Sequence, residues 1–488
     1  MNFNYRAVVK ILSIIIMSLG ISMIIPVFVA LYFHETYEVI VFAFLGSIST
    51  GLAYTLKKHV YLRGSGLTTR DGYLIVSLCW LTASVLGSMP YVLSGVTPNF
   101  IDGFFEAVAS FTTTGATILR LDEVPKSILV WKSLCNWLGG MGILILVISI
   151  IPAMDINAKP LADAEVPDSA IDKATNRISD SAKMLYIIYI TFTSVEFLLL
   201  LAGPMNIFDA AINAMSSVSS SGLPSMRHSF THYKSIYVEV IICTFSILAS
   251  INFTLYYLII RKNWRAAVKN MELRVFLCIL AVASLLVTAD LFLTGTYTLP
   301  KSIEYGFFHC ISMGSTCGVS LTGHTTWPSF SLTVLFMLML IGGCSFSTCG
   351  AIKVHRIIVL FKLVTRGFYR RIHPRSVVAV KIGGKAITAK KVSFITAFVL
   401  LYFIIILLSS AVLSLQGLDM LTTISSATAM LSNVGIGFGI VADGDFSVYA
   451  RPLRMVLCFL MLCGRLEIFT FISLFMPSFW NPDKFKLR

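Results

Sequence analysis

The sequence has 488 residues, of which 56% are hydrophobic, 12% aromatic and only 13% charged. Soluble domains carry about 25% charged residues, so this chain has too little charge to cover a water-facing surface. The composition excludes a soluble enzyme, a secreted disulfide scaffold and a disordered protein. Five uncharged runs are each long enough to cross ~30 Å of hydrocarbon as a helix. In chain order these runs are Ile11–Phe33, Gly72–Ile101, Ser133–Met154, Val240–Ile260 and Val392–Leu418. The chain is predicted to be an all-α polytopic membrane protein.

The distribution of charge predicts the topology. The net charge is +14 because Lys and Arg concentrate in a few segments, and such segments stay on the cytoplasmic side of a membrane. Segment Lys353–Lys391 has eleven Lys or Arg residues and no acid, and the C-terminus ends in Lys484, Lys486 and Arg488. The intervening short loops carry mostly acids and are expected outside. The sequence therefore predicts cytoplasmic termini and ten crossings, and the first apolar run is too long for a signal peptide.

The cysteines and acids give no indication of catalysis. Ten cysteines lie in or beside apolar runs, with no CxxC pair and no histidine at zinc spacing. We interpret them as small buried hydrophobic residues. The sequence also lacks an HExxH motif and a paired-aspartate motif. We therefore predict that the chain is not an enzyme and has no covalently bound cofactor and no nucleic-acid partner.

Four short Ser/Thr/Gly-rich segments on the outer side form a repeat. Each is too short to cross the membrane, lies between two stronger runs and aligns with the others on one glycine. The four segments are Ala109–Gly115, Ser216–Gly222, Ser312–Gly318 and Ala429–Gly435. An amphipathic stretch precedes each, and its opening acid is expected near a helix N-terminus, where the helix dipole favours an anion. These acids are Asp102, Asp209, Glu304 and Asp419.

The repeated segments are predicted to form a cation site. Re-entrant Ser/Thr-Gly turns expose backbone carbonyls that can replace the hydration shell of a monovalent cation, and glycine permits the positive φ that such turns need. The segments contain no full charge, which favours an alkali cation. The predicted filter residues are Thr112, Thr113, Thr114, Gly115, Ser219, Ser220, Ser221, Gly222, Ser315, Thr316, Cys317, Gly318, Ser432, Asn433, Val434 and Gly435. The alternative is that these small residues only pack membrane helices together.

The same residues carry a family resemblance. Ser110–Ala116, Leu431–Gly435 and Gly464–Ile468 resemble motifs of the TrkH/KtrB superfamily of bacterial potassium-uptake proteins, and two extra N-terminal helices resemble its TrkH branch. The resemblance implies four fused helix–pore loop–helix repeats in a pseudo-four-fold arrangement. It also implies K⁺ as the transported ion, a homodimer in the bacterial inner membrane and a cytosolic nucleotide-binding regulatory ring (TrkA-like), with the nucleotide bound by that ring.

Several functional alternatives remain open. Only the fourth repeat has a second glycine in its filter strand, in Gly435-Ile-Gly437, so a less selective K⁺/Na⁺ transporter or a cation symporter of the same fold is the alternative to a K⁺-selective pore. A secondary transporter with inverted repeats is a further alternative. We disfavour it because all four segments are predicted to enter from the outer side. Passive and ion-coupled transport are not distinguished.

A predicted gate interrupts the second long span of the third repeat. Gly342–Ala351 interrupts a long apolar run with glycines, serines and cysteines, which break helix propensity. The resemblance implies an intramembrane loop that obstructs the ion path below the filter and that faces Arg465, with gate residues Gly342, Gly343, Cys344, Ser345 and Gly350. The alternatives are a close-packed helix crossing for the loop and a structural ion pair for Arg465. Arg465 and Glu467 interrupt the last apolar run, Met455–Phe479, and are not expected to pair with each other.

Other isolated polar residues receive structural interpretations. Lys132 and Glu196 are expected near span ends, from which they could snorkel to the membrane surface, and His309 and His324 are interpreted as packing or surface residues. The predicted organisation is two N-terminal helices (1–70), repeat 1 (71–154), a cytoplasmic linker (155–182), repeat 2 (183–270), repeat 3 with the loop (271–375) and repeat 4 (376–488). The basic segment Lys353–Lys391 is expected to contact either the cytosolic partner or anionic lipid.

Overall fold

The computed structural model describes residues 3–60, 67–142, 178–222, 233, 235–324, 327–376, 378–383 and 385–480. Most of the predicted linker 155–182 and the basic C-terminal residues 484, 486 and 488 lie outside these ranges. In chain order the helices are α1 (Tyr5–Ser22), α2 (Ile24–Tyr32), α3 (Thr36–His59), α4 (Thr69–Leu93), α5 (Phe100–Phe111), α6 (Lys126–Gly140), α7 (Ile178–Leu201), α8 (Ile207–Val218), α9 (Ile236–Ser250), α10 (Phe253–Ile260), α11 (Trp264–Val268), α12 (Met271–Leu293), α13 (Leu299–Gly314), α14 (Ser329–Ile341), α15 (Val354–Ile372), α16 (Ala389–Leu413), α17 (Met420–Leu431), α18 (Arg451–Arg465), α19 (Ile468–Ile472) and α20 (Pro477–Trp480). A small antiparallel pair, β1 (Lys381–Ile382) with β2 (Lys385–Ala386), follows α15.

Long apolar helices form the membrane-spanning part. Among the described residues, six helical segments are long and apolar enough to cross a membrane, or eight if each of two bent pairs counts as one span. The ten crossings predicted from charge therefore stay a prediction. Local capping fixes where α4 begins, since the Thr68 side chain and the Asp71 carboxylate cap each other's backbone N–H groups.

Two of the predicted spans are bent rather than straight, which corrects the sequence interpretation. The run 240–260 bends by 90° between α9 and α10, and the last run bends by 120° between α18 and the segment Ile468–Phe475. At the first bend the carbonyl of Ser250 accepts a hydrogen bond from the Cys344 N–H, and the Phe253 N–H donates to the carbonyl of Phe346. The helix therefore exchanges its own hydrogen bonds for bonds to the segment 342–353.

Four short helices do not cross the membrane. α5, α8 and α17 have 12 residues each and α13 has 16, and at 1.5 Å per residue they are about 18–24 Å long, which is less than the ~30 Å hydrocarbon thickness. Each packs against the helix before it and the helix after it in the chain. These neighbours are α4 and α6 for α5, α7 and α9 for α8, α12 and α14 for α13, and α16 and α18 for α17.

Each short helix and its two neighbours form a trio of helices, and the four trios pack on one another in a closed order. α6 packs on α8, α9 on α13, α14 on α17, and α18 packs back on α5. The C-terminal ends of the four short helices are buried, with Ser110, Val218, Met313 and Leu431 almost completely inaccessible. The chain segments that follow these helix ends are therefore brought together inside the protein.

Candidate functional site

The four predicted filter segments have the same backbone conformation. A Thr or Ser follows the last residue of each short helix. The next residue has a positive φ, and the glycine two positions later has a positive φ again. The non-glycine residues are Thr113 (φ 54°), Ser220 (58°), Thr316 (54°) and Asn433 (54°), and the glycines are Gly115 (75°), Gly222 (60°), Gly318 (70°) and Gly435 (76°). We call these turn 1 (112–115), turn 2 (219–222), turn 3 (315–318) and turn 4 (432–435).

The four turns also share a backbone hydrogen bond, which joins each turn to the short helix that precedes it. In each turn the N–H of the residue before the glycine donates to the carbonyl of the residue five positions earlier. The four bonds are Thr114 to Ala109, Ser221 to Ser216, Cys317 to Ser312 and Val434 to Ala429, each with an N–O distance of 2.9 Å. The predicted alignment of the four segments on their glycines is therefore also an alignment of their backbones.

The glycines bring the four turns into contact as a ring. A Cβ atom on Gly115 would overlap the carbonyl oxygen of Ser221 in turn 2, so only glycine fits there. The same relation joins Gly222 to Cys317, Gly318 to Val434 and Gly435 to Thr114. The contact order runs from turn 1 through turns 2, 3 and 4 and returns to turn 1. The structure thus brings all sixteen predicted filter residues together.

Neutral oxygen and nitrogen atoms support the ring. The Asn433 side-chain amide donates to the Thr114 hydroxyl, with an N–O distance of 3.0 Å, and so links turn 4 to turn 1. The Thr112 and Thr114 hydroxyls lie 2.8 Å apart, and the Tyr402 and Ser432 hydroxyls lie 2.6 Å apart. None of the sixteen turn residues has an ionisable acidic or basic group apart from the buried Cys317 thiol. Together, the backbone carbonyl and side-chain hydroxyl oxygens of the four turns can replace the water molecules around an alkali cation.

The opening acids lie near helix starts in three of four cases. Asn99 and Asn206 accept hydrogen bonds from the N–H groups of Asp102 and Asp209, and Asp419 itself caps α17. The prediction for Glu304 is wrong, because α13 begins five residues earlier at Leu299, with a proline in its first turn. The negative charge therefore lies beyond the first turn of that helix.

A loop packs directly against the ring. α14 ends at Ile341, Gly342 has φ 68°, and the next helix begins only at Val354. We call residues 342–353 the interrupting loop. Its Gly350 N–H donates to the Thr316 hydroxyl with an N–O distance of 3.1 Å, and its Cys349 thiol lies 2.9 Å from the Ser315 carbonyl oxygen. A Cβ on Gly350 would overlap the carbonyl oxygen of Ser432. The loop therefore contacts turns 3 and 4.

The other end of the loop is held by elements outside the ring. The Cys344 N–H donates to the Ser250 carbonyl over 2.9 Å, and the Ser345 N–H donates to the buried carboxylate of Glu272 over 2.7 Å. Gly343 allows the close approach of Cys349, whose sulfur would lie 2.6 Å from a Cβ at position 343. The five predicted gate residues thus all lie within the interrupting loop, in which the segments around Gly343 and Cys349 pack against each other.

Arg465 joins the loop to the first repeat. One terminal nitrogen of its guanidinium donates to the Thr348 carbonyl over 2.9 Å. The other terminal nitrogen donates to the carbonyls of Gly139 and Gly140 at the end of α6, over 2.5 and 2.6 Å. A helix C-terminus carries partial negative charge, which favours a cation there. The predicted contact between Arg465 and the carbonyls of the loop is present.

Glu467 binds Lys353 at the end of the loop and Arg356 in α15, rather than Arg465. Its carboxylate accepts a hydrogen bond from Arg356 at 2.6 Å and lies 3.7 Å from the Lys353 ammonium. A cavity of about 70 Å³ lies between these groups and the loop, with Gly140, Cys349 and Arg465 in its wall. The expectation that Arg465 and Glu467 do not pair agrees with these partners.

Two isolated charges were placed wrongly by the sequence interpretation. Lys132 is completely buried and forms an ion pair with the equally buried Glu106 of α5. Glu196 is completely buried as well and accepts a hydrogen bond from the Ser217 hydroxyl on α8. Neither side chain snorkels, because each faces a short helix rather than the end of a span. Glu106 was missed, although it is the only acid within the apolar second half of α5.

Comparison with known proteins identifies the family. Residues 39–482 match the family TrkH, described as cation transport protein. The chain belongs to this family. It is 32% identical over 485 residues to the Trk system potassium uptake protein TrkG of Escherichia coli, covering 98% of this chain and 99% of that protein. It is 33% identical over 488 residues to the Trk system potassium uptake protein TrkH of Halomonas elongata, covering 98% and 100%.

A solved structure of the TrkH family has the same fold. The crystal structure of the potassium transporter TrkH from Vibrio parahaemolyticus matches with a TM-score of 0.88 at 29% identity, covering 98% of this chain and 100% of that chain. The predicted family resemblance is therefore confirmed, and the chain is a helical membrane protein of a transport family. The prediction that it is not an enzyme is confirmed by membership in that family.

Proposed function

We propose that this chain takes up potassium ions across the bacterial inner membrane through a central pore. The observation that carries the proposal is the closed contact order of the four glycine turns, from Gly115 through Gly222 and Gly318 to Gly435 and back. The four helix trios and their cyclic packing support a pseudo-four-fold set of helix–pore loop–helix units behind two extra N-terminal helices. The relatives that cover nearly the whole chain are named potassium uptake proteins.

The ring is proposed to act as a selectivity filter. A dehydrated cation needs several oxygens at fixed positions, and carbonyl dipoles supply them without a fixed charge that would hold the ion too tightly. The carbonyl oxygens that face a neighbouring glycine belong to Thr114, Ser221, Cys317 and Val434. The shared hydrogen bonds made by the N–H groups of these four residues hold the peptide groups immediately before these carbonyls in corresponding orientations.

The interrupting loop is proposed to close the pore on the cytoplasmic side of the filter. It contacts turns 3 and 4 through Cys349 and Gly350, and Arg465 ties it to the first repeat. A guanidinium stays charged at any physiological pH and offers five donors. It therefore repels a passing cation and holds the loop in place through the same contacts.

A cytosolic partner is proposed to open this gate. The loop leads directly into α15, which carries Arg366, Arg370 and Arg371 and several exposed apolar side chains. A surface of one sign attracts an acidic partner, and a nucleotide-binding ring that binds α15 could pull on the loop. In this proposal both termini lie in the cytoplasm, the chain forms a homodimer and lipid surrounds it, with the nucleotide on the partner.

Ion uptake by intact cells tests the proposal. A potassium-uptake-deficient bacterium expressing the chain, with and without a Trk-type cytosolic subunit, is assayed for ⁸⁶Rb⁺ and ²²Na⁺ uptake. Saturable Rb⁺ uptake that exceeds Na⁺ uptake supports a K⁺-selective pore. Equal uptake of both ions favours the less selective alternative, and Rb⁺ uptake that depends on a Na⁺ or proton gradient favours a symporter. Absence of Rb⁺ uptake by a membrane-inserted chain would overturn the proposal.

A further inference from the structure

Just after the filter ring, a backbone N–H group donates a hydrogen bond to a side chain of the preceding short helix, which anchors the backbone there. The same backbone position makes this bond in several turns, although the accepting side chain differs. Three residues after the filter glycine, the N–H group in turns 1, 3 and 4 donates to a side chain of the preceding short helix. These N–H groups belong to Ile118, Leu321 and Phe438, and their acceptors are Glu106, His309 and Ser425. The corresponding residue of turn 2, at position 225, lies outside the described residues.

The anchor of turn 1 is a carboxylate. One oxygen of Glu106 accepts from the Ile118 N–H over 2.7 Å and from the Thr117 hydroxyl over 2.9 Å. Its other oxygen pairs with Lys132 of α6. All three side chains are buried, so both oxygens are satisfied within the protein and the charge is balanced by one neighbour. Removal of the ammonium alone would leave an unpaired buried carboxylate, which is strongly destabilising.

The anchor of turn 3 is an imidazole at the matching position. His309 precedes its glycine by nine residues, as Glu106 does. Its Nε2 atom accepts from the Leu321 N–H over 3.2 Å and lies 3.3 Å from the Ser320 hydroxyl. Its Nδ1 atom lies 2.8 Å from the Tyr305 carbonyl oxygen and must donate to it. The neutral ring with hydrogen on Nδ1 satisfies both contacts, which makes Nε2 the acceptor.

Two chemically unlike side chains thus make the same contact. Each accepts from the N–H of the residue three positions after the filter glycine. Each also lies beside the hydroxyl of the preceding residue, but only the Thr117 hydroxyl donates to its anchor, because the Ser320 hydroxyl donates to the Thr322 carbonyl. A carboxylate paired with lysine and a neutral imidazole have in common only an acceptor atom at that point. A hydrogen-bond acceptor recurs at this place although the side chain that supplies it differs. This indicates that the backbone next to the filter requires the acceptor atom and not a particular charge.

We propose that Glu106 and His309 are positioning residues that set cation discrimination by fixing the backbone behind the filter ring. The anchored N–H lies three residues from the glycine, so a loss of the anchor lets the intervening peptides rotate and spreads the ring carbonyls. A ring of looser carbonyls distinguishes ions of different size less well. This proposal rests on the proposed function of the ring as a filter.

Charge-matched double variants separate the acceptor from the ion pair. The variant Glu106→Gln/Lys132→Met keeps a side-chain acceptor and removes both charges, whereas Glu106→Met/Lys132→Met removes the acceptor as well. In turn 3, His309→Gln keeps an acceptor and His309→Met does not. Asp290→Asn is the matched control, because Asp290 binds the Ser331 N–H and hydroxyl at the start of α14, away from the ring.

The measured quantity is the ratio of ⁸⁶Rb⁺ to ²²Na⁺ uptake, with expression and thermal stability in detergent measured alongside. We expect the two Gln variants and Asp290→Asn to keep the parent ratio within about twofold, and the two Met variants to lower it about five- to tenfold, as for one lost hydrogen bond. If the parent itself does not prefer Rb⁺, the proposed filter function fails before any variant is compared. A selective parent whose folded Met variants keep the ratio overturns the anchor proposal alone.

Two further results are decisive. Equal loss of discrimination in Glu106→Gln/Lys132→Met and in Glu106→Met/Lys132→Met would show that the ion pair matters rather than the acceptor, which contradicts the proposal. If the Met variants do not fold, Thr117→Val removes one donor to Glu106 together with the acceptor of the Leu119 N–H, and it leaves the Glu106–Lys132 ion pair in place. We expect it to lower the ratio about two- to threefold, and an unchanged ratio in this folded variant also overturns the proposal.

Discussion

The Ser220 and Thr348 hydroxyls lie 2.6 Å apart, so turn 2 is hydrogen-bonded to the interrupting loop. Both side chains are buried, and a buried hydrogen bond contributes about 1 kcal/mol to stability. This contact extends the loop's direct contacts to three of the four turns. A movement of the loop away from the ring must break it.

The hydroxyl contact predicts a coupling between filter and gate. Thr348→Val and Ser220→Ala should each raise Rb⁺ uptake without the partner about fivefold, because each removes the shared hydrogen bond from the closed state. Thr348→Val also removes the contact of its hydroxyl with the Ala249 carbonyl, at 3.3 Å. The double variant should equal Thr348→Val, since residues that share one interaction have non-additive effects. The coupling would be contradicted if the increases in Rb⁺ uptake of the two single variants multiplied in the double variant. It would also be contradicted if Rb⁺ uptake was unchanged in all three variants. The main-chain contact of Thr348 with Arg465 is left in place.

The ring predicts the effect of substituting its glycines. Alanine at Gly115, Gly222, Gly318 or Gly435 would place a Cβ on the carbonyl oxygen of the next turn and would also disfavour the positive φ. Each variant should lower the Rb⁺/Na⁺ uptake ratio at least several-fold. Gly51→Ala is the matched control, since a Cβ there would meet no atom within 4 Å beyond its chain neighbours and the backbone of its own helix, and it should leave the ratio unchanged. Unchanged discrimination in all four ring variants would rule out a four-turn filter.

The sequence predicted the turns because their requirement is local. Positive φ selects glycine at one position of each turn, and the small polar residues before it recur at a constant distance. The interrupting loop was predictable for the same reason, since Gly342 ends α14 with a φ of 68°. These features depend on residues that are neighbours in the chain.

The features that the sequence did not predict depend on distant partners. Glu106 and Lys132 lie on different helices, 26 positions apart. Lys132 was interpreted as an isolated charge, and Glu106 was not singled out. The bend after Ser250 lies in an uncharged run, and the Ser250 carbonyl accepts a hydrogen bond there from Cys344, about a hundred positions away. Hydropathy and propensity carry no information about such bonds.

The carboxylate of Glu467 predicts a stability effect. Glu467→Gln would leave Arg356 and Lys353 without their shared counter-charge, and removal of one partner of a buried ion pair costs about 3 kcal/mol. We expect a clearly lower melting temperature in detergent. Glu123→Gln is the control, because the Arg120–Glu123 pair is 77% and 70% exposed and such surface pairs contribute little. Equal melting temperatures for the two variants would contradict the structural role of Glu467.

The basic face of α15 predicts where the cytosolic partner binds. Reversal of Arg366, Arg370 and Arg371 to Glu should weaken co-purification with a Trk-type cytosolic subunit at least tenfold, because the surface then repels an acidic partner. The same reversal at Lys262, Arg265 and Lys269, around α11, is the charge-matched control and should leave co-purification intact. Undiminished binding of the α15 variant would assign this face to anionic lipid head groups instead.

Arg465 predicts the strongest effect on flux. Its guanidinium binds the Thr348 carbonyl of the loop and two carbonyls at the end of α6. Arg465→Ala removes both the positive charge and these donors, so the loop loses its tie to the first repeat. We expect Rb⁺ uptake without the partner to rise at least tenfold. Arg465→Lys keeps the charge but cannot span the two carbonyl sites with one planar group, so it should restore only part of the barrier.

The alternative role for Arg465, a structural ion pair, gives the opposite result. Loss of a paired arginine would leave a buried acid without its partner, lower the melting temperature and expression, and give no gain in flux. Rb⁺ uptake and melting temperature are therefore measured on the same Arg465→Ala preparation, with Arg451→Ala as a control. The Arg451 side chain is 57% exposed at the start of α18, and its ion-pair partner Asp102 keeps Arg454 in that variant. A well-folded Arg465→Ala protein whose uptake equals or falls below that of the parent would exclude the gating role. Raised uptake at an unchanged melting temperature, with an intermediate value for Arg465→Lys, would support it.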